Sequence, residues 1–142
     1  MTVARFQSRR RAFTFFLLAG AAVHAWHGPS ARAAGRFDMR TFLDAQVDGR
    51  PILVSVHADW CPACKKQKRV VDALATEKRF AGVTFLDVDY DNEPAILKRL
   101  RVAQQSTLIA FRGNREIGRL VFDADPLAIR RLVEGTLQAL PE

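Results

Sequence analysis

One stretch, "ILVSVHADWCPACKK", constrains this chain more than any other. Residues 52–56 are a short β-branched run of the kind that forms a buried strand. A few residues later the chain reaches Cys61-Pro62-Ala63-Cys64, and from Pro62 the pattern changes to a helical period. Ala63, Val70, Val71, Leu74 and Ala75 share one helical face, and Lys78 and Arg79 close the helix where its dipole favours cations. A second strand follows in "GVTFLDVDY", with apolar residues from Val83 through Phe85 to Val88. Two strands joined through a helix lie parallel with a right-handed crossover. The two cysteines, the only ones in the chain, are therefore expected where a buried strand hands over to a helix.

The flanking sequence completes the layers. Ahead of the strand, Met39, Phe42, Leu43, Gln46 and Val47 recur at helical spacing, and Asp48-Gly49 and Pro51 stop the helix. Behind the second strand, Asn92 and Pro94 open a helix carrying Ile96, Leu97 and Leu100. "STLIAF" and "EIGRLVF" form a hairpin around Gly113-Asn114. The last helix has Asp125 as N-cap and Pro126 at its first position, with an apolar stripe of Leu127, Ile129, Leu132, Val133, Thr136, Leu137 and Leu140. The order α-β-α-β-α-β-β-α predicts an α/β fold: a central mixed sheet of about four strands flanked by helices on both faces. There is no internal repeat.

The net charge of +7 suggests a nucleic-acid or membrane partner until it is located. Residues 1–34 hold Arg5, Arg9, Arg10, Arg11 and Arg32 and no acid, so the remainder carries only +2. No nucleic-acid footprint is left. The basic start, the apolar run "FTFFLLAGAAVHAW" and the small-residue stretch with Ala31-Arg32-Ala33 instead read as an export signal cleaved near Ala33. The apolar run is shorter than the roughly 20 residues a transmembrane helix needs. Arg10-Arg11-Ala12-Phe13 resembles a twin-arginine core, so general-secretory and twin-arginine export both stay open, as does an uncleaved anchor. All three send residues 34–142 across the membrane as one domain, expected to lie in the periplasm.

Cys61 at the start of a helix meets unpaired backbone N–H groups and the positive end of the dipole, which favour a thiolate. Pro62 suits the first helical position because it has no N–H to leave unpartnered. Cys64, one turn on, is the natural resolving thiol for exchange, with Cys61 the exposed attacking thiol. Other readings compete. A disulfide closing so small a loop constrains the unfolded chain little, so it is a poor staple. Zinc lacks a second cysteine pair. A copper-handling module binding through Cys61, Cys64 and His57 stays open as the alternative function. Haem attachment fails because Lys65 stands where His is needed.

These segments, with "FLDVDYD" and "STLIAFRGNREIGRLVF", resemble the thioredoxin family across roughly residues 37–140. The resemblance implies the thioredoxin fold and protein thiol–disulfide exchange, with Trp60 as flanking aromatic, Cys61 as nucleophile, Cys64 as resolving thiol and Pro62-Ala63 between them. With an export signal, it implies a periplasmic member that draws electrons from a membrane donor and acts on protein thiols or disulfides. No cofactor is called for, and a monomer is expected. Two departures stand out. Ser106 occupies the place of the family's cis-proline before Thr107, where a trans peptide is expected because a non-proline cis bond costs about 2.5–4 kcal/mol. Its hydroxyl is then available to a thiolate or to the substrate groove, unless Ser106 is only a drifted loop residue. Ser55 replaces the buried aspartate that takes a proton from the resolving thiol. His57, on the same strand face as Ser55, is a replacement acceptor, whereas Asp59 is expected at an exposed edge. The compartment favours a reductase, while a dipeptide beginning with Pro is also found in oxidising relatives, so direction stays open.

Overall fold

A computed structural model describes residues 34–138; the expected leader, residues 1–33, lies outside them. In chain order the elements are β1 (Gly35–Arg36), α1 (Met39–Val47), β2 (Pro51–His57), α2 (Pro62–Thr76), a 3-10 turn (Lys78–Phe80), β3 (Thr84–Asp89), α3 (Pro94–Arg99), β4 (Thr107–Arg112), β5 (Arg115–Val121) and α4 (Pro126–Gly135). The sheet has five strands in the order β1-β3-β2-β4-β5. β2 and β3, joined through α2, pair in parallel, and β4–β5 is the antiparallel hairpin expected from the sequence. The fifth strand is β1, which pairs Gly35 with Leu86 and Arg36 with Asp87. Two residues carry no period, so no pattern announced it.

β2 is the central strand, buried from Pro51 to Val56. Its alternation sorts the core into two layers. Ile52, Val54 and Val56 join Leu86, Val88, Ile109 and Phe111 against Phe42 and Ala45 of α1 and Leu97 of α3. Leu53 joins Phe85, Leu108 and Ala110 against Val71 and Leu74 of α2 and Ile129 and Val133 of α4. Ser55 and His57 share Leu53's parity and so lie on the face that α2 covers.

Local chemistry fixes the helix starts. Pro62, Pro94 and Pro126 each open a helix, where a missing N–H leaves no donor unpaired. Asp38 accepts the Thr41 N–H at 2.8 Å, and Asp125 accepts those of Leu127 and Ala128, as expected for the last helix. At the hairpin turn Gly113 has φ 56°, and a Cβ there would stand 3.2 Å from the Gln46 carbonyl oxygen. Both its conformation and its tight clearance disfavour a side chain there.

Two expectations shift. α1 buries Phe42 and Ala45, while Val47 is 87% exposed and Leu43 faces outward. The ring of Phe42, wedged between Phe37 and Phe111 at 5.4 and 5.5 Å, sets the rotation of this short helix. α2 ends at Thr76, so Lys78 and Arg79 belong to the 3-10 turn rather than to the helix.

These layers predict opposite outcomes for two apolar truncations, read by urea denaturation. Leu53→Ala, at a site 1% exposed, costs about 2–5 kcal/mol. Val47→Ala stays within about 0.5 kcal/mol. Comparable losses at the two sites would contradict this assignment of the core.

Candidate active site

The turn from β2 into α2 places both cysteines. Cys61 is the N-cap of α2, with extended backbone at φ −89° and ψ 111°. Its Sγ accepts the N–H of Cys64 at 3.1 Å, so sulfur fills the role that a Ser or Asp oxygen usually plays at a helix start. Cys61 and Cys64 form a disulfide, with Cα atoms 5.3 Å apart. An exposed attacking thiol was expected; in this disulfide form Cys61 is 2% exposed and Cys64 4%. Both pack in a small apolar cluster with Ala58, against partly buried Ala63 and Tyr90. The surface around them is presented by Pro62, Lys65, Lys66 and above all Trp60, whose ring is largely exposed. The Trp60 indole N–H donates to Asp91 at 2.9 Å, which fixes the ring's direction beside Cys61.

Ser106 is fully buried, with φ 57°, and the described residues contain no cis peptide bond, so the expected trans peptide is present. The Ser106 hydroxyl donates to Oε1 of Gln67 at 2.9 Å, so it is committed to α2 rather than offered to a sulfur or a substrate. Gln67 in return donates from Nε2 to the Ser106 carbonyl at 3.2 Å and to the Asp123 carbonyl at 2.8 Å. The Thr107 hydroxyl donates to the Gln104 carbonyl at 2.7 Å, closing the loop ahead of β4. The sequence reading missed Gln67. Its signal was present: a polar residue three positions after Cys64 and four before Val71, on the face that an amphipathic α2 buries.

A second missed residue is Asp87. In the β2–β3 ladder Asp87 stands opposite Ser55, and Asp89 opposite His57. The sheet face under α2 thus carries a carboxylate after all, one strand away from where the family places it. The Asp87 side chain is 15% exposed, and Lys68 of α2 reaches it at 3.8 Å. Burial pushes the Asp87 carboxyl above its ordinary range, against the opposing pull of Lys68, His57 and Ser55. Lys68 is shared with Asp72, whose 2.8 Å hydrogen bond is the main reason its own pKa is raised. Lys68 lies one helical turn beyond Cys64, so α2 carries the resolving cysteine and the partner of the buried acid along one side. His57 ends β2 half-buried, and its Nδ1 is buried with no protein partner. Asp59 is exposed, as expected.

Among the described residues, no group of three or more His, Cys, Asp or Glu side chains is placed to hold a metal ion. His57 is therefore not brought together with the two sulfurs, and nothing in the geometry favours the copper reading.

Comparison with known proteins agrees with this site. The thioredoxin family model matches residues 37–133. A thioredoxin of Chlamydia trachomatis is 34% identical over 92 residues, covering 65% of this chain and 87% of that protein. The chain also matches a bifunctional thioredoxin reductase/thioredoxin of Mycobacterium leprae at 31% identity, spanning only 18% of its length. Among solved structures, Trxlp from Edwardsiella tarda superposes with a TM-score of 0.65 at 37% identity, covering 68% of this chain and 95% of that one. With the cysteine pair at the head of α2 and the mixed sheet beneath it, the chain belongs to the thioredoxin family.

Proposed function

We propose that this thiol–disulfide oxidoreductase reduces protein disulfides outside the cytoplasm and is recharged by a membrane electron donor. The observation that carries the chemistry is the Cys61 sulfur at the N-cap of α2. After reduction, a Cys61 thiolate keeps the Cys64 N–H as donor and gains the positive end of a 15-residue helix, both of which favour the charged form. That thiolate attacks one sulfur of a substrate disulfide. A mixed disulfide forms and the first substrate thiolate leaves, taking a proton from water. Cys64 then gives up its proton and attacks Cys61 Sγ, the mixed disulfide breaks, and the second substrate thiolate departs. Two electrons pass to the substrate, and the Cys61–Cys64 disulfide is restored. Asp87 is the carboxylate that takes the Cys64 proton, because it is the acid buried on the sheet face under α2.

Export rests on residues 1–33: the arginine cluster, the short apolar run and the Ala31-Arg32-Ala33 site. Direction rests on compartment, since an oxidising periplasm keeps reduced thiols only through dedicated reductases with their own electron supply. A monomeric working form goes with this reading.

Direction is decided by the reduction potential of the Cys61–Cys64 couple in the leader-free protein. A reductase sits at about −270 mV, and a value of about −120 mV, the poise of a dedicated oxidant, would contradict the reading. Cys64→Ala should accumulate a mixed disulfide with insulin through Cys61. Asp87→Asn tests the proton acceptor by pH. Turnover near pH 7 should fall by about tenfold or more, with the deficit shrinking as pH nears a thiol's own ionisation at about 8.5. Stability should move the opposite way. A carboxyl whose folded-state pKa is raised binds its proton more tightly when folded, so folding loses stability as pH rises through that range. The Asn variant should then be more stable at neutral pH, with the gain vanishing below the ordinary carboxylate range. A turnover deficit independent of pH would remove Asp87 from the proton path.

A further inference from the structure

The carboxylate under α2 shares its nearest cation and has none to itself. Lys68 stands 2.8 Å from Asp72 and 3.8 Å from Asp87. Arg36, opposite Asp87 in the β1–β3 ladder, is largely exposed and turns to Glu93 at 3.8 Å. One further side chain beside Asp87 on this sheet face can carry a positive charge. His57 shares the face with Ser55 and Asp87 and stands opposite Asp89, one rung along the ladder. A charge on its ring pulls on the carboxylates of both Asp87 and Asp89. The two acids differ in what they need. Asp89 accepts the N–H groups of Asp91 and Asn92 and the Asn92 side-chain amide, at 2.9, 3.2 and 2.7 Å. The Asn92 side-chain bond above all holds the Asp89 carboxyl below its ordinary range, whereas burial drives Asp87 the other way. Asp89 needs no further cation; Asp87 does. The His57 ring itself is only half-buried, yet its Nδ1 is shut away from water with no partner. A buried polar atom left unspent is unfavourable and calls for a role in the site's chemistry. Imidazole is also the side chain that changes charge between about pH 5 and 8.

We propose that His57 is a positioning residue for the proton acceptor: its protonated ring keeps the Asp87 carboxylate charged, so that Asp87 still takes the Cys64 proton as the medium turns acidic. The ring draws its own proton from the medium. The Cys64 proton goes to Asp87 as before, so no further reactant enters. Around the pair stand Lys68 and Asp72 of α2, Asp89 of β3, Arg36 of β1, and Asp59 and Glu93 in the adjoining loops. Their charges are common to the parent and to variants at position 57, so a difference between those variants reports the ring. The inference rests on the reading of Asp87 as acceptor. It adds the residue that sets the acid limit of exchange.

Two measurements test it. Carbon-13 NMR of the Asp87 carboxyl in the reduced protein reads the charge coupling without substrate. His57→Asn keeps a polar side chain at this position but never charges, and should move the Asp87 titration midpoint up by about half a pH unit or more. His57→Lys, charged throughout, should not move it up. An unmoved midpoint in His57→Asn, or an upward move in both variants, would overturn the coupling, the second because it marks repacking rather than charge. Insulin reduction followed from pH 5 to 8 reads the consequence. His57→Asn should lose about threefold or more in kcat/KM at the acid end, the change in ionised Asp87 that such a shift produces, and should converge on the parent toward pH 8. In the Asp87→Asn background the same substitution should add no loss at any pH, because His57 acts only through that carboxylate. A loss equal at all pH values, or one that persists without Asp87, would overturn the role. If Asp87→Asn itself shows no pH-dependent deficit, the acceptor reading falls and the part of His57 in exchange falls with it. If that deficit appears while the Asp87 midpoint ignores His57→Asn, the role of His57 alone falls.

Discussion

The hydrogen bond from the Cys64 N–H to Cys61 Sγ joins the chemistry of this protein to its fold. It makes a sulfur atom the cap of α2, so the helix that covers one sheet face begins at the atom that exchanges electrons. The sheet carries that helix because β2, its central strand, is buried on both faces and delivers the chain to the cap without slack. Pro62 then starts the helix at no cost in donors, the Cys64 N–H goes to the Cys61 sulfur and the Lys65 N–H to the Cys61 carbonyl. Loss of the cap would reposition the nucleophile and the resolving thiol together.

Two polar systems sit beneath α2 and divide its work. Asp87, Lys68 and Asp72, with Ser55 and His57 across the ladder, form a charged group in which burial works against ionisation. It works against stability at neutral pH, because a buried carboxyl with a raised pKa costs folding free energy when it ionises. Gln67 and Ser106 form a neutral group that is fully hydrogen-bonded and rigid. A satisfied buried network of this kind specifies one arrangement of backbone, and here it fastens the loop ahead of β4 and the segment after β5 onto α2. The family's buried carboxylate and cis-proline are both missing from their usual places. In their places, Ser55 stands opposite Asp87 of β3, and Ser106 is tied to Gln67 of α2.

Much of the fold was legible because it is written in periods and caps. The strand before Cys61, the helix opened by Pro62, the Gly113 turn and the Asp125–Pro126 start all announce themselves locally, and the structure places them as read. What was not legible depends on neighbours distant in sequence. Asp87 reads as an ordinary polar position of an alternating strand until the register sets it opposite Ser55 under a helix. Gln67 reads as one more polar residue after two lysines until its partners 39 and 56 positions away are known. The outward turn of Val47 follows from where Phe42 stacks, which no helical wheel contains. Ser106 stands out in the sequence, yet its hydroxyl is spent on Gln67, which the sequence does not mark as its partner.

The proposed exchange depends on Cys61 being the activated thiol. The most direct measurement is the pH dependence of iodoacetamide alkylation in the reduced, leader-free protein, with each cysteine followed by peptide mass. Cys61 should react first, its rate rising through an ionisation clearly below the ordinary thiol value of about 8.5, while Cys64 stays protected. If both thiols titrate together near that ordinary value, or if Cys64 reacts first, the helix cap does not activate Cys61 and the proposed order of events is wrong.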